Sequence, residues 1–218
     1  MKTATLLPAN RTIRINNIFC VGKNYADHAK EMGGDVPKEP IIFLKPNSAV
    51  VQNGESIIIP DYSKNIHHEI ELTVLIGKKG KNIPQSEALS YIAGYGVGLD
   101  MTMRDRQAEA KKSGNPWSIA KGFDTSAPLS SFVEATSVPD PHNLEIRLSV
   151  NGTERQHSNT RHMIFRIDVL ISFLSSIFTL EEGDVLYTGT PEGVGQVVRG
   201  DILIGEITGI GTIHHTVQ

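Results

Sequence analysis

Two glutamates alternate with apolar residues between His67 and Gly77, and this alternation is the clearest chemical signal in the chain. Because side chains alternate across a strand, Glu69 and Glu71 share one face with Thr73, while the intervening apolar residues pack into a core. Neighbouring carboxylates on a mostly buried strand repel each other and lose their hydration unless a cation or protons neutralise them. The pattern predicts a bound metal ion, although a strand face open to solvent would also produce it.

A third carboxylate, Asp100, follows the glycine-rich stretch 94–99. The glycine spacing differs from the dinucleotide-binding pattern G-x-G-x-x-G. We therefore predict a strand whose glycines permit close packing and whose end places Asp100 beside Glu69 and Glu71. Three carboxylates without a cysteine form an oxygen-only ligand set, which favours Mg²⁺ or Mn²⁺, with Ca²⁺ as a substitute, over zinc or copper.

A second pair of reactive groups lies on a predicted helix. His28 and Glu31 stand three residues apart, so they share one face of that helix. A carboxylate next to an imidazole fixes the imidazole tautomer and raises its basicity, which is what the activation of a water molecule requires. The spacing alone also fits an ordinary exposed pair on a polar helix, and both interpretations stay open.

Three further features carry weaker signals. Lys121 lies in an apolar stretch, where it could stabilise an anion or an enolate, or extend its ammonium group to solvent. The glycine-rich turn 188–195 offers hydroxyls and backbone N–H groups that could hold a substrate carboxylate, or it is only a turn. Cys20 is the single cysteine and lies in the apolar run 18–21, where a structural thiol is expected rather than a reactive one.

Many short strands and a few helices, at uneven intervals, must position these residues. This succession predicts an α+β, β-rich fold with a mixed or antiparallel sheet and argues against regular βαβ winding. Gly33-Gly34 closes the first predicted helix, and Asn151-Gly152 is typical of a tight hairpin. Strands are predicted at 18–21, 41–44, 57–59, 68–76, 92–99, 145–150, 153–156, 184–187, 202–207 and 212–217, and helices at 25–32, 86–91, 103–113 and 164–178.

The composition argues against several classes of protein. Of 218 residues, 39% are hydrophobic and 21% are charged, and the formal net charge is -3 without a block of like charge. Neither a nucleic-acid partner nor a membrane surface is indicated. No apolar run reaches the ~18 residues that span a bilayer, and the N-terminus lacks the pattern of a secretion signal. We therefore expect a cytoplasmic protein.

These segments together resemble the fumarylacetoacetate hydrolase superfamily, most of all its small members of the acylpyruvase type. Each segment alone is a weak signal, but their number and order are specific. The match begins near residue 18, so we interpret residues 1–17 as an N-terminal extension and 18–218 as a single catalytic domain. The matching segments are VGKNY (21–25), FLKP (43–46), HHEIEL (67–72), GYG (94–96), DMTMRD (100–105), AKGFD (120–124), SVNG (149–152) and TGTP (188–191).

The resemblance implies a fold, an assembly and a role for each candidate residue. The implied fold is a rolled, barrel-like mixed β-sheet with peripheral helices, like the C-terminal domain of the family, and the implied assembly is a homodimer. The implied site consists of Glu69, Glu71 and Asp100 as ligands of Mg²⁺ or Mn²⁺, His28 and Glu31 as a water-activating dyad on a lid, Lys121 facing the substrate oxygens, and Arg104, Gln107 and Thr190 as substrate-binding groups.

The activity that the resemblance implies is hydrolysis of a C–C bond in small acylpyruvates or other 1,3-diketo acids, through a metal-bound enolate. The same enolate would also support decarboxylation of oxaloacetate. One alternative is an oxaloacetate tautomerase or an isomerase of the 2-hydroxyhepta-2,4-diene-1,7-dioate type. Another alternative, from a different class, is a catalytically silent protein that binds a metal or a ligand. The intact pair of His28 and Glu31 argues against this alternative.

One segment departs from the family pattern. Relatives commonly carry a small residue and an aspartate before Met163-Ile164, whereas this chain has Arg161-His162. An aspartate would suit a helix N-terminus, and His162 is a poorer cap. The departure leaves the predicted metal ligands intact, but we expect the local loop to differ.

Overall fold

Strands dominate the computed structural model, which describes residues 1–33 and 35–218. The strands are β1 (Thr3–Leu7), β2 (Arg11–Arg14), β3 (Ile18–Gly22), β4 (Ile41–Lys45), β5 (Val50–Gln52), β6 (Ile66–His68), β7 (Ile70–Ile76), β8 (Ile92–Leu99), β9 (Thr102–Met103), β10 (Ala127–Leu129), β11 (Phe132–Glu134), β12 (Glu145–Val150), β13 (Thr153–Asn159), β14 (Val185–Tyr187), β15 (Gly195–Val197), β16 (Ile202–Ile207) and β17 (Gly211–Thr216). The α-helices are α1 (Ala26–Glu31), α2 (Arg104–Ser113), α3 (Ser118–Lys121) and α4 (Ile167–Ile177).

The largest unit is a rolled, mixed sheet of ten strands. Its strands follow the order β2-β1-β11-β8-β7-β14-β3-β4, and β10 pairs with both β8 and β5. The pairs β1–β11, β3–β14 and β5–β10 are parallel, and the other pairs are antiparallel. Two smaller antiparallel sheets, β13-β12-β16-β17 and β15-β6-β9, complete the fold. This architecture confirms the predicted β-rich α+β class.

Strands β7 and β8 form the centre of the large sheet. Every residue of β7 is buried, so the strand packs on both of its faces. The glycines of β8 allow this packing, as predicted from the sequence. A Cβ atom on Gly98 would lie 2.6 Å from Cγ2 of Thr73 and 2.6 Å from Cε1 of Tyr187. The antiparallel register places the end of β8 against the start of β7.

Several predicted elements change in the folded chain. The predicted strand 57–59 is wrong, because only Ile57 forms a bridge, a parallel one with Val217, before Pro60 ends the extended run. The predicted strand 68–76 is interrupted at Glu69, because the N–H of Ile70 donates to a side-chain amide rather than to a neighbouring strand. The predicted helix 86–91 is a 3₁₀ helix, Gln85–Tyr91.

Two turns behave as their sequences predict, and the first residues join the sheet. Asn151 and Gly152 both have positive φ angles, 52° and 76°, which is the conformation of the tight hairpin between β12 and β13. Gly33 has φ 68° after α1, while Gly34 lies outside the described residues. Residues 1–17, interpreted as an extension, contribute the hairpin of β1 and β2 to the large sheet.

The predicted helix 164–178 begins only at Ile167 and packs an apolar face on the domain. No described helix is long and apolar enough to cross a membrane.

The N-terminus of α4 is capped by a distant histidine. In place of a local capping side chain, Nε2 of His142 accepts the backbone N–H of Ile167 at 3.1 Å. Burial, and then the charge of Arg166, lowers the pKa of His142, although Asp140 and Asp168 oppose this shift. The imidazole is therefore held neutral, as an acceptor requires.

This arrangement predicts an acid-sensitive helix terminus. Below pH 6.5 the unfolded chain binds a proton at His142 more readily than the folded chain, so stability falls as the pH falls toward the lowered folded pKa. We expect the stability difference between wild type and His142→Gln, about 1 kcal/mol at pH 7, to shrink between pH 7 and pH 5. Urea unfolding at several pH values measures it.

His157 provides a control of opposite sign. A hydrogen bond with Glu145 raises the pKa of His157, so its contribution to stability is complete below pH 6.5 and is lost as the pH rises. His157→Gln should therefore destabilise the protein more at pH 5 than at pH 8. A stability difference for His142→Gln that grows on acidification would contradict the capping role.

Candidate active site

The three predicted carboxylates meet where β7 and β8 lie side by side. Glu71 is in β7 opposite Gly98 in β8, and Asp100 follows the last residue of β8. The backbone N–H of Asp100 donates to the carbonyl of Glu69 at 2.8 Å, which holds these two residues together. One carboxylate oxygen from each of the three side chains lies within 4.8 Å of the others, and all three residues are buried. The alternative of a solvated strand face is excluded.

Three cationic side chains pair with two of these carboxylates. Nζ of Lys121 lies 3.0 Å from Oε2 of Glu69 and 2.6 Å from Oδ2 of Asp100. Nζ of Lys45 lies 2.8 Å from Oδ1 of Asp100, and Arg104 pairs with Glu69. Lys45 is a site residue that the sequence analysis missed as a separate candidate, since its only signal was a lysine at the end of an apolar strand. Its ammonium group is buried with the rest of the cluster.

Glu71 is the carboxylate without a cationic partner among the described residues. Its Oε2 accepts the backbone N–H of Gly189 at 2.6 Å. Burial raises the pKa of Glu71 well above its usual range, and the charges of Asp100 and Glu69 raise it further. Burial acts on Glu69 in the same direction, but its cationic partners outweigh burial and hold the pKa of Glu69 below its usual range. Of the three buried carboxylates, Glu71 is therefore the one whose negative charge the cationic side chains do not neutralise by direct pairing.

This donor set fits a divalent cation. It consists of buried carboxylate oxygens that are close enough to share one ion, and oxygen ligands suit hard cations. A dication between the three oxygens would remove the like-charge repulsion that acts on Glu71 and that the protein's own cations leave in place. Glu69, Glu71 and Asp100 therefore have the chemistry and the spacing of a metal site.

His28 and Glu31 form the predicted pair on α1. Nδ1 of His28 lies 3.1 Å from Oε2 of Glu31. His28 is only 4% exposed, so the alternative of an ordinary surface pair does not describe its imidazole. Oε1 of Glu31 accepts the backbone N–H of Gly193 at 3.1 Å and so connects α1 with the turn 188–195. With Nδ1 engaged by a carboxylate, Nε2 is the ring nitrogen that can exchange a proton.

A narrow cavity brings the predicted site residues together. NH1 of Arg104 donates to Oε1 of Gln107 at 2.9 Å, so these two predicted substrate-binding groups form a pair. The hydroxyl of Thr190 accepts a hydrogen bond from Nε2 of Gln156 at 2.8 Å. Lys121 also donates to the hydroxyl of Thr102 at 2.6 Å, so its ammonium group is engaged within the cluster. The predicted residues that line the cavity are His28, Glu69, Asp100, Arg104, Gln107, Lys121 and Thr190.

The two histidines that precede Glu69 are engaged with side-chain amides rather than with the carboxylates. Nδ1 of His68 lies 3.0 Å from Oε1 of Gln156. Nε2 of His67 lies 2.9 Å from Oδ1 of Asn65. Burial, followed by the charge of Arg104, lowers the pKa of His67 to about 4, so this side chain is neutral at pH 7. Both histidines therefore support the strand rather than extend the ligand set.

The segment that departs from the family pattern lies outside this cavity. Arg161 and His162 belong to a 3₁₀ turn, Thr160–His162, in which the side chain of Asn159 accepts the N–H of Arg161 at 3.0 Å. Because α4 starts only at Ile167, His162 is not its cap. Both side chains line a separate surface cavity, which Ala26 and Asp27 of α1 also line.

Buried acidic groups, balancing cations and a histidine–carboxylate pair around a small cavity define an enzyme that acts on a small molecule. The chain belongs to the fumarylacetoacetate hydrolase family, because the family's sequence model, described as Fumarylacetoacetate (FAA) hydrolase C-terminal, matches residues 17–218. The match covers every residue of the candidate site and all strands of the rolled sheet except β1 and β2. It confirms the resemblance seen in the sequence segments.

Characterised relatives span three reaction types. Oxaloacetate tautomerase FAHD1, mitochondrial, of Arabidopsis thaliana is 53% identical over 201 residues, which is 92% of this chain and 90% of that protein. The crystal structure of fumarylpyruvate hydrolase from Pseudomonas aeruginosa, in complex with Mn²⁺ and pyruvate, superimposes with a TM-score of 0.95 at 42% identity, covering 99% of this chain and 95% of that chain. For 5-carboxymethyl-2-hydroxymuconate delta-isomerase from Mycobacterium smegmatis the TM-score is 0.84 at 41% identity, with coverages of 94% and 80%.

Proposed function

We propose that this protein is a divalent-metal-dependent enzyme that interconverts the keto and enol forms of oxaloacetate. The observation that carries the proposal is the position of His28. Its side chain lines the same cavity as Glu69 and Asp100, and its Nδ1 lies 3.1 Å from Oε2 of Glu31. A base fixed beside a group of metal-binding carboxylates suits proton transfer at a carbon next to a carbonyl. The 53% identity to an oxaloacetate tautomerase supports this reaction among those of the family.

Glu69, Glu71 and Asp100 would hold Mg²⁺ or Mn²⁺, and the ion, when bound, supplies Lewis-acid polarisation of the 2-oxo acid. The Mn²⁺ in the structure of the Pseudomonas aeruginosa hydrolase supports an ion of this kind. Arg104 and Gln107, which are paired at 2.9 Å, would orient the substrate carboxylate from the wall of the cavity. The protein would thus fix the substrate before any proton moves.

The proton transfer itself would fall to His28. Its Nε2 would accept the proton from C3 of the keto acid, and the electron pair of that C–H bond would become the enolate double bond. The same proton would then be delivered to the oxygen on C2, which gives the enol with atoms and charge balanced. Glu31 would stabilise the imidazolium while it carries the proton, because its carboxylate already accepts the Nδ1 hydrogen.

Hydrolytic cleavage of acylpyruvates is the second candidate, and the TM-score of 0.95 to a fumarylpyruvate hydrolase favours it. Here His28 would take a proton from water, and the hydroxide would add to the distal carbonyl carbon. The C–C bond would then break, its electron pair would form the enolate of pyruvate, and that enolate would take the proton back. Decarboxylation of oxaloacetate would use the same enolate.

The proposal predicts metal-dependent turnover of both substrates. After chelation and reloading with Mg²⁺ or Mn²⁺, we expect enol absorbance of oxaloacetate to decay at least ~100-fold faster than with the ion alone, as general acid–base catalysis provides. Pyruvate release from acetylpyruvate measures the cleavage reaction in parallel. Rates equal to the ion-only background for both substrates would overturn the proposal and favour a silent binding protein. Substitution of Mg²⁺ by Ca²⁺ serves as a control for ion chemistry.

We also propose that the protein works in the cytoplasm, and that it forms a homodimer, as the resemblance to the family implies. The expected dimer has twice the chain mass of 23.8 kDa. Light scattering after size-exclusion chromatography measures the mass directly, and a monomer at micromolar concentration would overturn the assembly.

A further inference from the structure

Two lysines that the proposed mechanism does not use, Lys23 and Lys111, line the same cavity as the carboxylates. Across residues 1–33 and 35–218, neither ammonium group has a carboxylate within 4.0 Å or donates a hydrogen bond to the protein. The deeper lysines, Lys45 and Lys121, are by contrast fully engaged with carboxylates. Two unpartnered cations on one cavity wall form a site for an anion.

Lys23 reaches this wall from an unusual backbone conformation. Its φ angle is 56°, in the left-handed region that glycine adopts freely and other residues adopt rarely. The position lies between β3 and α1, beside Gly22. Residues held in such conformations cluster at ligand clamps and active sites. A lysine kept where glycine would be unstrained therefore indicates that its side chain has a function.

Lys111 lies in the last turn of α2, where the helix dipole favours a cation, as it does for the neighbouring Lys112. Unlike Lys112, Lys111 lines the cavity, and its Nζ lies 5.4 Å from the ring centre of Trp117. A Cβ atom on Gly22, the residue before Lys23, would lie 3.5 Å from the same ring, so Trp117 lies close to the backbone beside Lys23. Burial lowers the pKa of Lys111, and the charge of Lys23 lowers it further, so a bound anion would relieve their repulsion.

The charges of the cavity call for a second negative group on the ligand. In the deep cluster, three carboxylates face the three cationic side chains of Lys45, Arg104 and Lys121, and a divalent ion would leave that end positive by two. The 2-oxo carboxylate and the developing enolate oxygen would offset this charge. Resting on the proposed function, we infer that Lys23 and Lys111 bind a carboxylate at the far end of the substrate, so that the enzyme selects dicarboxylic over monocarboxylic 2-oxo acids.

The same wall also offers apolar surface, which would favour a different substrate. Met32, Phe43 and Trp117 line the cavity, and the rings of Phe43 and Trp117 are 5.8 Å apart. If these side chains determined specificity, an uncharged acyl chain would bind better than a carboxylate. A pair of ligands that differ only in the distal carboxylate separates the two outcomes.

The test uses 2-oxoglutarate and 2-oxopentanoate, which have the same five-carbon chain and the same 2-oxo carboxylate. Isothermal titration of each ligand into the Mg²⁺-loaded protein gives its dissociation constant. We expect wild type to bind 2-oxoglutarate about tenfold more tightly, as charge-assisted hydrogen bonds provide. Two variants, Lys111→Gln and Lys23→Asn, should each remove most of this preference. Asparagine is chosen at position 23 because it tolerates the left-handed conformation. Lys112→Gln, which removes a charge one residue away, should leave it unchanged.

Turnover provides an independent readout. In Lys111→Gln we expect the KM for oxaloacetate to rise about tenfold with kcat nearly constant, while the KM for acetylpyruvate, which lacks the second carboxylate, stays the same. Equal binding of both five-carbon ligands by wild type, or a preference that survives both variants, would overturn the inference. A binding preference without turnover of either substrate would instead overturn the proposed reaction and leave the carboxylate site standing.

Discussion

Replacement of Glu71 by glutamine is expected to abolish metal-dependent turnover without destabilising the metal-free protein. Glu71 has no cationic partner among the described residues, and burial followed by the charges of Asp100 and Glu69 raises its pKa. Glutamine still accepts the N–H of Gly189 but removes the repelling charge. We expect turnover to fall by at least ~100-fold, because even groups that only support a metal ligand contribute 10–100-fold. Stability without metal should be unchanged or higher.

Glu69→Gln is the matched comparison, because it removes a carboxylate from the same cluster with the opposite effect on stability. Glu69 pairs with Arg104 and with Lys121, and all three side chains are at most 10% exposed. Loss of one partner of a buried ion pair leaves an uncompensated charge and costs about 3–5 kcal/mol. Glu69→Gln should therefore lose turnover as well, but it should also unfold at a lower urea concentration.

Urea unfolding in the presence of a chelator measures the stabilities, and isothermal titration of Mn²⁺ measures metal affinity. The expected pattern is weakened Mn²⁺ binding in both variants, with loss of stability confined to Glu69→Gln. Full turnover of either variant at unchanged Mn²⁺ affinity would contradict the assignment of these carboxylates as ligands. Equal destabilisation of both would show that Glu71, too, is compensated within the protein.

The sequence predicted the acidic cluster because strand alternation and carboxylate repulsion are local properties. Glu69 and Glu71 are two residues apart, and the glycines before Asp100 indicated a strand that could pack against theirs. The cations were harder to predict, because Lys45 reaches Asp100 across 55 positions of the chain. A lysine at the end of an apolar strand is usually exposed, and only the fold shows that its ammonium group is buried.

The elements that the sequence failed to predict depend on pairing between distant segments. Residues 57–59 have the composition of a strand, but only Ile57 forms a bridge, with Val217, and this partner lies at the other end of the chain. Glu69 interrupts its strand because Gln156, 86 positions away, accepts the N–H of Ile70. The exposed or buried state of His28 likewise could not follow from an i,i+3 spacing, since burial is set by the elements packed around α1.

Replacement of His28 by alanine is expected to separate the two candidate reactions. Cleavage needs a base that activates water and then returns the proton, so acetylpyruvate turnover should fall by about 10³-fold, within the range of general acid–base catalysis. Keto–enol exchange needs one proton shuttle, which solvent can partly replace, and should fall by about 10²-fold. The ratio of the two rates, measured on one preparation at saturating Mg²⁺, is the diagnostic quantity.

Glu31→Gln shows whether the pair acts as a unit. Glutamine can keep a hydrogen bond to Nδ1 of His28, which lies 3.1 Å from Glu31, but it lacks the charge that stabilises the imidazolium. We expect kcat to fall in both reactions with KM and Mn²⁺ affinity unchanged, because the carboxylate acts on the proton carrier and not on the ion. If His28→Ala lowers both reactions equally, His28 has a common proton-transfer role and water activation is not its task. If it lowers cleavage alone, enol exchange relies on another base, and the proposal that His28 carries the proton in tautomerisation is wrong.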